Sequence, residues 1–593
     1  MVTAPTDGMS VLHPRDLAGC EHRVALDFAY PEVVRARADT PEAARRKDAA
    51  DGHRTRVRDL LRAVHSDQPG AFAVVDEPTH AAAVATTRRL CAAGVPWIWN
   101  ATLPADLTGG RRGHSELLVR SGDGYVPIIV VNHRTSYPAK TRRDGSADRP
   151  ITATTSPLWG WLPLPDPFRT VRNHRRDQLR LAHLTQMLVD LGLAPTVPDA
   201  DLLAGVVGLD ADCIVVHPIG AQLDDYREVF ARRQAIASGE IATAPRRVGE
   251  CRGCPWWSRC GPELERRHDV SLVATGNQSL ALGAIGVTSI DDLAGYRGEP
   301  PPDWPSNVRF TDAVVSAIAW LDDIPLVRRV GRPRVQRADV EVDVDMESFG
   351  EDGAYLWGTL LTDRRDRDRP VIYRAFVTWQ PLPTRDEARS FAQFWTWLMD
   401  ERDAAHAEGK TFAAYCYSQQ AENRWLLGSA DRFAGEPGIP TRDEVTAFIE
   451  SSEWVDIYEA VGRAFVCPRG KGLKRVAPVA GFEWRDADAS GEASMDWYRE
   501  AVGIGGTAVD LTQRRRLLEY NEDDVRATKV LREWMDTRAR REVPLQDDLL
   551  ASGADASAIV ADPRAGDGSG PRGTQRVEEG PAAEQSDGAE EQE

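Results

Sequence analysis

Between Val340 and Phe349 the chain reads Val-Glu-Val-Asp-Val-Asp-Met-Glu-Ser-Phe, an alternation of acidic and apolar residues. A period of two belongs to a β-strand. It sets Asp343, Asp345 and Glu347 on one face and Val342, Val344 and Met346 on the other. Carboxylates lined up on one face repel each other unless cations compensate them. The stretch is therefore either a solvated edge strand or one wall of a cation site. Far downstream, Tyr520-Asn521-Glu522-Asp523-Asp524 lies in a strongly helical segment. Its spacing of four puts Tyr520 and Asp524 on one helix face, able to return to the strand. That favours the cation site.

With 593 residues the chain exceeds what one hydrophobic core organises, which predicts two to four domains. The net charge of −18 excludes a general electrostatic sponge for nucleic acid, so any such path must be a local groove. From Ala551 to Glu593 the composition of Gly, Ala, Pro, Asp and Glu predicts a disordered acidic tail, 551–593. Seventeen Trp point to large aromatic packing surfaces, with some available for stacking. Met1–Ser10 has no apolar signal-peptide core, and no run is long enough to span a membrane. A cytoplasmic protein is expected, in which the eight Cys do not form structural disulfides.

In the N-terminal half, short strands are predicted at Ala71–Val75, Ala81–Ala85, Gly94–Asn100 and Ser115–Arg120, and a nearly uninterrupted apolar one at Val126–Val131. Helices are predicted from Val33 to Ala63 and over Arg172–Leu191, with Ala139–Thr155 a polar mobile loop. Cys251, Cys254 and Cys260 crowd into ten residues with Arg and Ser between them, which suits soft metal ligands better than core packing. Cys20 is the best candidate for a fourth ligand. Ligand chemistry alone permits zinc or an iron–sulfur cluster.

These cysteines carry a resemblance. The N-terminal half resembles the RecB-like nuclease family, and more distantly the CRISPR-associated RecB-like nucleases and the nuclease domain of AddB, which have a PD-(D/E)XK-like fold. Those proteins place one Cys before the nuclease core and a Cys-x2-Cys-x5-Cys group after it. The resemblance implies a four-iron–four-sulfur (4Fe–4S) cluster on Cys20, Cys251, Cys254 and Cys260, with zinc as the alternative. It also implies that the nuclease site is degenerate. Gly52-His53-Arg54-Thr55-Arg56 offers no Glu, the Gly-x-x-Asp position reads Gly113-His114-Ser115-Glu116, and Ile129-Val130-Val131 lacks the acidic-x-Lys pair. Without those groups nothing holds a divalent metal there. Asn132, His133 and Arg134 are candidates for phosphate contact, or plain surface residues after a strand. Residues 11–268 are assigned to this domain. A helical linker follows over 269–337, similar between Asp269 and Tyr296 to a helix-hairpin-helix.

The strand at Val340 is followed by two strand candidates, Ala354–Leu361 and Val371–Val377, then a helix from Asp386 and a central strand at Thr411–Tyr417. Glu422 lies just past that strand. Asp345-Met346-Glu347, then Glu422, then Tyr520 and Asp524 spaced Tyr-x-x-x-Asp, resemble the motifs of YprB-like DEDD exonucleases, which have an RNase H-like fold. The overall class expected is α/β, with the exonuclease domain at 338–540. The resemblance implies a two-metal-ion exonuclease acting 3′ to 5′ on DNA in repair or recombination. Two Mg²⁺ or Mn²⁺ ions would be held by Asp345, Glu347, Glu422 and Asp524, and Tyr520 would orient the attacking water. Glu422 stands where many DEDD enzymes have Asp. Asp343 falls outside the pattern. Lys474 and Arg475 would hold phosphates in the approach groove, against the alternative of an ordinary basic loop. The resemblance implies a helicase partner, because YprB-like nucleases resemble partners of helicases, and the chain shows no Walker-type loop of its own. The competing expectation is a non-catalytic nucleic-acid-binding or scaffolding subunit of a helicase–nuclease complex.

Overall fold

The computed structural model describes residues 10–551 apart from 38–40, 139–151, 367, 488–489 and 507. The acidic tail expected over 551–593 lies outside the described residues from 552 onward, as does most of the polar loop expected over Ala139–Thr155. From Thr152 that expected loop is a strand, Thr152–Ser156.

The N-terminal half forms a nine-stranded mixed sheet. Its spatial order is Phe72–Val74, Trp97–Thr102, His114–Ser121, Gly124–Val130, Leu203–Val207, Ile214–Pro218, Thr152–Ser156, Leu164–Val171 and Ser136–Pro138. The central strand Gly124–Val130 is buried at every position, as its apolar run predicts. The helix Arg175–Asp190 packs Leu181, Leu184 and Leu188 into the core on one side of this sheet. One expected strand is a helix: Ala81–Ala85 lies inside His80–Ala92. Its alanines favour helix, and Thr79 caps the start by accepting a hydrogen bond from the Ala82 amide at 3.3 Å. Beyond it, helices Asn277–Ala284 and Ile290–Ala294 join through Gly286 at φ +81°, the helix–glycine turn–helix expected there. They share a small core with Phe310–Leu321.

The C-terminal sheet has five strands: β1 Val340–Phe349, β2 Gly353–Asp363, β3 Ile372–Val377, β4 Phe412–Cys416 and β5 Trp454–Asp456. Their order is β3-β2-β1-β4-β5. The first three run antiparallel, and β4 and β5 are parallel to β1 and to each other. Helix α1, Asp386–Ala407, covers one face with Phe391, Phe394, Trp395 and Leu398 packed on Val340, Val342 and Val344. Helix α2, Gln419–Arg432, leaves the end of β4. Helices α3, Gly491–Val502, and α4, Leu511–Thr537, lie on the opposite, acidic face. The alternation of β1 thus divides two environments. Its valines meet the aromatic side of α1, and its acids meet α4.

Candidate metal centre

Four acids of β1 face α4, and the structure divides them into two pairs. Glu341 and Asp343 are fully buried and share the guanidinium of Arg532, which lies 2.7 Å from Asp343. Arg337 adds two bonds to Glu341 at 2.7 and 2.9 Å, and Tyr415 donates a third at 3.1 Å. This surplus of donors holds the Glu341 carboxyl down at about 2 despite its burial. Asp343 is therefore an ion-pair partner in the core and has no place in the metal set.

Asp345 and Glu347 have no such arginine. Together with Asp524 of α4 they bring ligand oxygens within 4.8 Å of one another. This is the group of that kind among the described residues. Burial, and then the neighbouring carboxylates, drive the Asp345 carboxyl well above the usual range. Burial raises Glu347 to about 8 with Asp524 adding to it, and raises Asp524 to about 6. Buried acids forced together in this way hold protons unless a cation replaces them, and an all-oxygen donor set suits Mg²⁺ or Mn²⁺.

The expected fourth acid arrives from α2. Glu422 is 3% exposed, in the first turn, with Oε2 lacking any hydrogen-bond partner. Its carboxyl is pushed to about 8 by burial, and its charge is felt at both Asp345 and Glu347. It stands outside the closed group of three. Asp456, at the end of β5, fixes the start of α2 by accepting from the Ser418 and Gln419 amides at 3.0 and 3.1 Å.

Tyr520 lies one turn before Asp524, and burial, with the nearby carboxylates of Glu347 and Asp524 adding to it, drives its hydroxyl strongly upward. Lys474 Nζ sits 4.6 Å from the Tyr520 ring centroid, and its charge favours ionisation of both Glu347 and Asp524. Arg475, next to it, is exposed.

Several contacts were not legible in advance. Asn521 donates to Asp345 at 2.7 Å and accepts from the Tyr373 hydroxyl at 2.8 Å. Gly358, opposite Asp345 in the β1–β2 register, makes room for it: a Cβ there would overlap Asn521 Oδ1. Trp484 Nε1 donates to Asp524 at 2.7 Å, and the Ser494 hydroxyl to Glu347 at 3.2 Å. Trp484 precedes α3, and nothing in the local sequence marks it.

In the N-terminal half, Glu116 is 4% exposed and bound by Arg180 at 2.5 Å, with Arg54 at 3.5 Å. Two guanidinium groups thus compensate this buried carboxylate. His133 is held by Asp177 at 2.8 Å and Arg134 lies 3.7 Å from Asp210, while Asn132 is exposed. Cys20, Cys251, Cys254 and Cys260 do converge. Burial raises the last three thiols, and the neighbouring sulfurs, Cys20 among them, raise them further. No three of these sulfurs lie within 4.8 Å of one another, so the cysteines form no closed cluster like that of the carboxylates.

A mixed sheet of this order, with acids on its first strand and a returning helix that brings another, is RNase H-like in architecture. Residues 371–536 match the family model described as the RNase_H superfamily. The matched span contains Glu422, Tyr520 and Asp524, whereas Asp345 and Glu347 precede it. No curated protein and no solved structure matches the chain significantly. No helix among the described residues is long and apolar enough to cross a membrane.

Proposed function

We propose that the chain is a metal-dependent exonuclease that hydrolyses phosphodiester bonds of nucleic acid, DNA in the 3′ to 5′ direction. The observation that carries this reading is the convergence of Asp345, Glu347 and Asp524 within 4.8 Å on an RNase H-like sheet, with buried Glu422, whose Oε2 has no hydrogen-bond partner, nearby. These four acids would hold Mg²⁺ or Mn²⁺, two ions in the DEDD arrangement. Such ions supply charge stabilisation at phosphorus and a nucleophilic water at neutral pH. Asn521 fixes the Asp345 carboxylate, and Ser494 and Trp484 fix those of Glu347 and Asp524. In this reading Tyr520 orients the water through its hydroxyl and Lys474, 4.6 Å from the Tyr520 ring, meets the entering phosphate.

The N-terminal half is read as a degenerate PD-(D/E)XK-like domain, supported by the arginines on Glu116. A 4Fe–4S cluster on Cys20, Cys251, Cys254 and Cys260, with zinc as the alternative, is part of the same reading, supported by thiols close enough to feel one another's charge. Iron and sulfide assays on anaerobically purified protein test it, and stoichiometric zinc without iron defeats it. The boundaries 11–268, 269–337 and 338–540, a role in repair or recombination, a cytoplasmic location and a helicase partner belong to this proposal.

Asp345→Asn should lower Mn²⁺-dependent degradation of labelled single-stranded DNA by about 10³-fold while leaving binding intact. Equal activity in that variant rejects the exonuclease. If the unaltered protein binds DNA but cleaves nothing with Mg²⁺ or Mn²⁺, the scaffolding role replaces it.

A further inference from the structure

Away from the carboxylates, a cavity of about 420 Å³ opens between the segment Leu17–Glu21, the first turn of helix Arg175–Asp190 and the last turns of helix Leu223–Ala237. Four arginines line it: Arg175, Arg176, Arg232 and Arg233. Glu21 and Glu250 also reach it, and Asp225 pairs with Arg175, leaving a surplus of one positive charge.

Three of these arginines have protein partners. Arg232 grips Glu21 at 2.6 and 2.8 Å, and Arg175 pairs with Asp225 at 2.7 Å. Arg233 donates Nη2 to the Gly19 carbonyl at 2.7 Å. Its other terminal nitrogen is different. Arg233 is 7% exposed, and Nη1 is buried with no hydrogen-bond partner. Burial lowers its pKa, but a guanidinium stays charged at any ordinary pH. A buried cationic donor left unpaired costs more than a neutral one, and its usual remedy is an anionic acceptor. Arg176 is exposed beside it on the opposite wall. It stands in the first turn of a sixteen-residue helix, where unpaired amides and the helix dipole also favour an anion.

From this geometry we infer a phosphate-binding pocket for a phosphate monoester, with Arg233 Nη1 and Arg176 as its principal donors. A monoester is anionic at neutral pH, which suits the positive surplus, and its three terminal oxygens accept from several arginines at once. The cavity is larger than a phosphate group requires. Leu17, Leu179 and Val229 give it an apolar part where a sugar can rest. The phosphate has two possible sources, the end of a nucleic-acid strand or a free nucleotide. The pocket is remote in sequence from the metal centre, and the inference does not depend on the proposed exonuclease.

Fluorescence anisotropy of the full-length protein in EDTA, which removes metal from the carboxylates, tests it. Two labelled oligonucleotides are compared, one with a 5′-phosphate and one with a 5′-hydroxyl, and adenosine monophosphate is added as a competitor. Tighter binding of the phosphorylated strand by about tenfold, lost in Arg176→Ala and in Arg233→Lys, assigns the pocket to strand ends. If the two strands bind alike but adenosine monophosphate raises the melting temperature, and both variants weaken that effect about tenfold, a free nucleotide is the ligand. Arg176 is exposed, so its variant folds whatever becomes of Arg233. The pocket is refuted if neither form of phosphate produces an effect, or if both variants respond like the unaltered protein.

Discussion

At the residue scale the metal centre depends on the spaces left for side chains as much as on the acids. Asn521 reaches Asp345 only because position 358 carries no side chain. Gly358→Ala should push Asn521 aside and cost about 1–3 kcal/mol in urea unfolding. Mn²⁺ should then bind more weakly, while the fold by circular dichroism is kept. Unaltered Mn²⁺ affinity would show that Asn521 does not position Asp345. The three acids that converge, Asp345, Glu347 and Asp524, are legible in the chain from strand and helix periods, whereas Glu422 is singled out only by the family resemblance. Asn521, Trp484 and Ser494 are not legible, since an amide, an indole and a hydroxyl occur everywhere and gain meaning only from what they touch.

At the scale of the element, β1 and α4 are matched rulers. From Asp524 to Arg532 the helix rises about 12 Å, and from Asp345 back to Glu341 the strand covers about 13 Å. An antiparallel helix therefore presents an acid to the end of β1 that holds Asp345 and Glu347, and an arginine to the end that holds Glu341 and Asp343. Arg532→Met should leave two buried carboxylates short of their cation and destabilise the protein by about 3–5 kcal/mol. Removing Asp343 as well, in Arg532→Met/Asp343→Leu, should recover part of that loss, since Glu341 keeps Arg337 and Tyr415. Urea midpoints measure both. A single variant within about 0.5 kcal/mol of the parent would mean that the ion pair is dispensable.

At the scale of the whole molecule, the acids link stability to metal and pH. Glu347 and Glu422 titrate at about 8 and Asp524 at about 6, all above the range of an unfolded chain near 4. The folded state therefore binds more protons, so this contribution to stability is complete below about pH 4 and is lost as pH rises through 6 to 8. In EDTA the melting temperature should fall by about 5 °C between pH 5.5 and 8.5, and Mn²⁺ should restore it at the alkaline end by replacing the protons. A melting temperature flat with pH and indifferent to Mn²⁺ would remove the carboxylates from any metal role. The sequence by itself determined that β1 separates an apolar from an acidic environment and that α4 carries a matching face, because both are periodic patterns within one element. It misread Ala81–Ala85, where five residues are too few to separate strand from helix. Only the tertiary structure decided which acids of the stripe remain without a cation. That outcome depends on where Arg532 lands, nearly two hundred residues further along the chain. Electrostatic compensation is a property of positions in space, and no local pattern encodes it.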